Sequence, residues 1–289
     1  MKRFYQLITS LLIPVIVLGS FTQLRENFEW AKVLKERPEV VIMGDSHAEP
    51  LCFENGVTLA NGGDPFLMPL LHLRRLQKAS NLEEVKTFIL TVGPHNFAPL
   101  QEDRLLNNFD NWVDSNSGRI ANALVWSDYG NIEYSYLPLL QICKQELLLF
   151  NKRVNTSVAN WNDSPQLDSI RTANRLNRHR ILDKNWFQAE GIQRENFEKI
   201  IEFTREKNAQ LVVVGTPLHL DYRRQVEQFG MIQYYNFLDS VASANKHLSY
   251  CSFESTPWPD SFFKDCDHIN HKGSIRLMEM LSNEITQLH

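Results

Sequence analysis

Short runs that are apolar on nearly every residue, each stopping at a glycine, constrain the fold of this chain more than any other feature. Val40-Val41-Ile42-Met43 stops at Gly44, Val85 to Val92 at Gly93, and Gln210 to Val214 at Gly215. A strand with apolar side chains on both faces has none to give to water, so it belongs in a parallel sheet covered on both sides. Glycine at its end permits the tight turn that follows. The first strand is expected over about Glu39 to Met43, and weaker runs at Val57 to Ala60 and His247 to Phe253 add two more. Helical spacing marks the segments between and after them: Phe66 to Lys78, Glu190 to Asn208, Asp221 to Asn245 and Lys272 to Leu288. Strands alternating with helices predict an α/β domain with a mostly parallel sheet of about five strands.

The first run delivers Gly44-Asp45-Ser46-His47 to its carboxyl end. In open parallel sheets that edge is where ligands bind, because loops converge there and helix N-termini offer N–H donors. Serine alone is a poor nucleophile and needs a base to take its proton, with an acid to orient that base. Near the C-terminus, Asp265-Cys266-Asp267-His268-Ile269-Asn270, closed by Gly273, contains both residue types.

Together the two blocks resemble those of the SGNH hydrolase superfamily, the GDSL esterases and lipases, over about residues 38 to 289. Histidine after the serine, and His-Ile-Asn-x-x-Gly after the acid, are also similar to the SGNH modules found with sugar O-acetyltransferases of bacterial envelopes. The resemblance implies a three-layer sandwich around a flavodoxin-like sheet, with Ser46 as nucleophile, His268 as general base and Asp265 as the acid behind it. It implies an oxyanion hole built from the N–H of Ser46 and the N–H of Gly62 or Gly63 in Asn61-Gly62-Gly63-Asp64. A side chain after the third strand would complete that hole. There the family has Gly-x-Asn-Asp and this chain has Gly93-Pro94-His95-Asn96, so His95 holds the asparagine's position and Asn96 the next. Asn96 is the favoured donor, through a turn shifted by one residue, since an amide donates at every pH whereas imidazole titrates near neutrality.

Two further residues are expected near substrate. His219 follows Gln210 to Gly215 at the same sheet edge as Ser46, and is an alternative base without an acid three residues before it. Trp258 lies in the loop leading to Asp265. From Gln101 to about Lys184 the family pattern is lost. This insertion, with a helix over Ile132 to Phe150 and a loop at 160–165, is a reasonable seat for specificity. Its aromatic residues Trp112, Trp126, Tyr129, Tyr134 and Tyr136 are of the kind that stack on sugars, and Arg171, Arg175, Arg178 and Arg180 of the kind that meet acidic polymers. Packing and a solvated helix face are the plainer roles for both sets. Asp267 stands at the wrong offset for the family's acid, and Asp45 is expected to cap its turn.

At the N-terminus Lys2 and Arg3 precede Phe4 to Phe21, 18 residues without a charge, a length at the lower limit for a membrane span. The organisation expected is an anchor over 1–22, a linker helix over 23–37 and a domain over 38–289 with its insertion at 101–184. Positive charge before the span puts the domain outside the cytoplasm. A signal peptide cleaved near Val17-Leu18-Gly19-Ser20 is the alternative. The formal net charge of −4 gives no basic footprint for nucleic acid. Four cysteines, Cys52, Cys143, Cys251 and Cys266, lack metal-like spacing, and buried or unpaired thiols are favoured over a Cys251–Cys266 disulfide. No cofactor and no metal are expected. The expected activity is serine-dependent ester chemistry on an acylated carbohydrate or other small ester, by hydrolysis or by O-acyl transfer with a polytopic membrane acyltransferase as partner. The alternative is a catalytically inactive protein that binds glycan or a partner.

Overall fold

The structure, a computed structural model, describes residues 38–53, 56–60, 66, 69–70, 73, 82–99, 169–179, 181, 186–187 and 190–288. Within them five strands form one sheet: β1 (Val40–Gly44), β2 (Gly56–Ala60), β3 (Thr87–Val92), β4 (Gln210–Gly215) and β5 (Leu248–Ser252). Every neighbouring pair is parallel, and the order across the sheet is β2-β1-β3-β4-β5. The described helices are α1 (Ser169–His179), α2 (Ile192–Glu206), α3 (Leu220–Glu227), α4 (Met231–Ala244) and α5 (His271–Leu288).

The apolar runs become central strands because successive side chains leave opposite faces and both faces are covered. Val41, Met43, Phe88, Leu90, Leu211 and Val213 enter one core with Phe197, Ile200 and Phe203 of α2 and Tyr234 and Leu238 of α4. Ile42, Ile89, Val212 and Val214 enter a second core with Leu277 and Leu281 of α5. Register fixes this sorting: Met43 lies beside Leu90, and Leu90 beside Val213.

The helix expected over Asp221 to Asn245 is two helices, α3 and α4, parted at 228–230. Gly230 takes φ +129° there, and a Cβ on it would come 3.3 Å from Trp186 Nε1, so the chain bends where a bulkier residue resists. Of the expected insertion, α1 is described. The helix over Ile132 to Phe150, the loop at 160–165, the aromatic residues between Trp112 and Tyr136, the linker helix and the 1–22 segment lie outside the described residues. Among the described residues no helix is long and apolar enough to cross a membrane. Cys52, Cys251 and Cys266 are free thiols.

Gly44 ends β1 at φ +149°, and a Cβ on it would lie 1.9 Å from Thr91 Oγ1 of β3. Gly44→Ala should therefore lower stability by at least about 2 kcal/mol, from backbone strain together with steric overlap. Adding Thr91→Ala relieves the overlap and leaves the strain. Urea midpoints should accordingly rank wild type, then the double variant, then Gly44→Ala.

Candidate active site

Strand order reverses between β1 and β3, the switch point at whose carboxyl edge open α/β sheets bind ligands. After Gly44 the chain turns sharply, Ala48 N donating to Asp45 O at 3.1 Å. The turn leaves Ser46 partly exposed and sends Asp45 inward. Ser46 Oγ is 2.7 Å from His268 Nε2. His268 Nδ1 is 2.9 Å and 3.1 Å from the two oxygens of Asp265. The Asp-x-x-His spacing produces this pair locally, because the turn lets Asp265 Oδ1 also accept from His268 N at 2.9 Å and Asp267 N at 3.2 Å.

The loop carrying that pair is fastened on both sides. Asn270 donates from Nδ2 to Ser261 O at 2.8 Å, while its Oδ1 accepts from Gly273 N at 3.1 Å and caps the start of α5. A Cβ on Gly273 would lie 2.4 Å from Phe262 O, which explains the glycine three residues after the asparagine. His219 holds the loop from the side of α3: its N–H donates to Cys266 O at 3.0 Å, Nδ1 accepts from Asp221 N, and Nε2 lies 3.1 Å from Asp260 Oδ1. Both its ring nitrogens are occupied within the fold, so the expected part as substrate contact or alternative base gives way to a bracing one. Trp258 packs on the second core and meets Phe262 edge-on at 5.8 Å, again a packing position. Gly62 and Gly63 lie outside the described residues.

His95 and Asn96 were expected to point one side chain at the oxyanion, and the structure corrects this. The Asp45 carboxylate receives both, His95 Nε2 at 2.6 Å and Asn96 Nδ2 at 3.0 Å. Its other oxygen receives His47 N at 3.0 Å and His47 Nδ1 at 2.8 Å. Asn96 Oδ1 accepts from Gly93 N at 2.7 Å. A buried carboxylate needs hydrogen-bond donors, and these two side chains supply one of its oxygens as His47 supplies the other. The rings then stack in a column. His268 lies on His47 at 4.4 Å and 16°, His47 on His95 at 4.7 Å and 30°, and His95 on His179 of α1 at 4.9 Å and 25°.

Charge follows the geometry. Burial alone would push Asp45 up, but the charges and hydrogen bonds of His47 and His95 hold it well below the ordinary carboxylate range. Burial chiefly lowers His95 and His179. For His268, burial works downward but is overcome by the Asp267 and Asp265 carboxylates, which raise it to about 9. Asp267 is fully buried, and both its oxygens accept from Arg175 Nε at 2.9 Å. Arg175 Nη2 lies 2.9 Å and 3.2 Å from the His268 ring nitrogens.

Sequence reasoning left Arg175 among possible polymer contacts, overlooked His179 and set Asp267 aside. A signal was present, because Thr172, Leu176 and His179 recur at helical spacing and are buried, which puts Arg175 beside them on the inner face. Among the described residues, three sets of donor atoms lie within 4.8 Å of one another: Asp45, His47 and His95; His47, Asp267 and His268; and Asp265, Cys266 and Asp267. Their carboxylates already accept from protein donors, and the rings stack instead of converging, so these residues fit a hydrogen-bonded charge cluster better than an ion. Neither the protein-family models nor the curated proteins give a match to this chain.

Because the folded His268 is raised from 6.5 to about 9, the imidazolium favours the fold below about pH 6.5, and that contribution is lost as pH rises through about 9. The stability difference between wild type and His268→Gln should therefore be larger at pH 6 than at pH 10, by roughly 3 kcal/mol. Urea unfolding of both proteins at the two pH values measures it.

Proposed function

We propose that this protein carries out serine-dependent ester chemistry on an acylated substrate, with Ser46 as nucleophile, His268 as general base and Asp265 as the acid behind it. The observation that carries the reading is the continuous Ser46–His268–Asp265 hydrogen-bond path at 2.7 Å and 2.9 Å. In this reading His268 Nε2 takes the Oγ proton as Ser46 attacks the acyl carbonyl, while Asp265 holds the proton on Nδ1 and stabilises the imidazolium formed. The tetrahedral intermediate collapses as His268 returns that proton to the leaving alcohol, leaving acyl-Ser46. Water, or a sugar hydroxyl, then takes the acyl group by the reverse sequence. The oxyanion is held by the N–H of Ser46 and of Gly62 or Gly63, without a side chain from His95 or Asn96. Losing one such donor typically costs roughly 100- to 1,000-fold in rate.

The strand order 2-1-3-4-5 is that of flavodoxin-like sheets, and helices against both faces support the three-layer sandwich and the SGNH reading. An acylated envelope carbohydrate as substrate, an N-terminal anchor with an exported domain, and a polytopic acyltransferase as acyl source are parts of the same proposal, resting on the sequence blocks and the uncharged 4–21 stretch. One observation favours a second reading as a glycan- or partner-binding protein without turnover: both side chains of the third block serve Asp45 and not the oxyanion.

Reaction with a fluorophosphonate, or with p-nitrophenyl acetate as a model ester, discriminates. A base that is neutral only above about pH 9 should give kcat/KM a rising limb with an apparent pKa near that value. Ser46→Ala and His268→Ala should each abolish turnover, and the double variant should be no worse than either, since members of one catalytic unit are non-additive. Absence of any Ser46 adduct up to pH 10, in a folded protein, would favour the binding reading.

A further inference from the structure

We propose that Arg175, paired with Asp267, is a positioning residue that sets the orientation and charge state of His268, which makes α1 part of the catalytic unit. This rests on His268 serving as the base in the reading above. Two carboxylates flank the ring: Asp265 at 2.9 Å and Asp267 at 3.4 Å from Nδ1. One acid orients an imidazole. A second, fully buried and uncompensated, would hold it permanently as imidazolium, which cannot accept a proton from Ser46.

Arg175 answers that second carboxylate. Its Nε donates to both oxygens of Asp267, while Nη2 lies at nearly equal distances from the two ring nitrogens, 2.9 Å and 3.2 Å. In the ring plane Nδ1 faces Asp265 and Nε2 faces Ser46, so a nitrogen this close to both lies over the face of the ring. His47 stacks against His268 at 4.4 Å, so both a guanidinium and an imidazole touch the base. A fixed cation there disfavours a second positive charge on the ring, and it neutralises Asp267. Among the described residues, Ser46, His47 and Glu49 of the turn after β1 also face His268, with Asp45 behind His47 and Lys264 near Glu49. His47 Nε2 lies 4.0 Å from Asp267 Oδ2, and His179 of α1 faces the same carboxylate, but it is the Arg175 guanidinium that donates to both Asp267 oxygens.

The test is a titration of the His268 ring by NMR in full-length protein carrying 13C-labelled histidine, run alongside the pH dependence of kcat/KM. Arg175→Gln should move the His268 midpoint and the rising limb upward by about one to three pH units, and Asp267→Asn should move both downward by a similar amount. Arg175→Lys, which keeps the charge, should stay close to wild type. At neutral pH each unit of upward shift should cost about tenfold in kcat/KM, recovered on the alkaline plateau. Should Arg175→Gln fail to fold, the comparison of Asp267→Asn with Arg175→Gln/Asp267→Asn decides, since removing the guanidinium should raise the midpoint again. Shifts in the same direction for the two single variants, or no rise on adding Arg175→Gln to Asp267→Asn, would overturn the proposal. Opposed shifts without any Ser46 adduct would sink the esterase reading and leave the charge pair standing, whereas an adduct without opposed shifts would do the reverse.

Discussion

A carboxylate buried at the end of a strand must gather hydrogen-bond donors, and the arrangement of this site follows from the four that Asp45 gathers. His47 and its own backbone N–H come from the same turn, and the 3₁₀ turn after β3 contributes His95 and Asn96. Since β1 and β3 are neighbours in the sheet, their ends meet at one carboxylate. Two imidazoles tied to one acceptor are brought face to face, and His268 and His179 extend the pair into a column.

Burial by itself does not decide how an acid ionises; the donors do. Glu254, fully buried at the same sheet edge, accepts from the hydroxyls of Tyr234 at 2.9 Å, Tyr250 at 3.0 Å and Ser252 at 2.7 Å. Hydroxyls carry no charge, so burial prevails there and Glu254 is raised to about 7. Asp45 and Asp267 are equally enclosed, yet imidazoles and a guanidinium hold them well below the ordinary range. Of these acids, Asp267 is the one that raises His268, together with Asp265.

The same demand for donors explains the 3₁₀ turn after β3. His95 and Asn96 are adjacent in the chain, yet both reach the same oxygen of Asp45, while Asn96 Oδ1 closes the turn by accepting from Gly93 N.

What the sequence determined by itself is what arises from short-range pattern. Apolar runs ending in glycine marked the strands of a parallel sheet to within one or two residues, because burial on both faces leaves a compositional trace that needs no partner to read. Asp-x-x-His placed Asp265 against His268 because one turn closes that contact. The break at Gly230, the turning of His95 and Asn96 toward Asp45, the imidazole column, and the entry of Arg175 onto Asp267 and His268 across 92 and 93 positions were decided by tertiary structure. Spacing along the chain carries no record of which buried charge a distant side chain will meet; that follows from desolvation, since every carboxylate enclosed by the fold takes the donors that the packed helices and loops bring within reach.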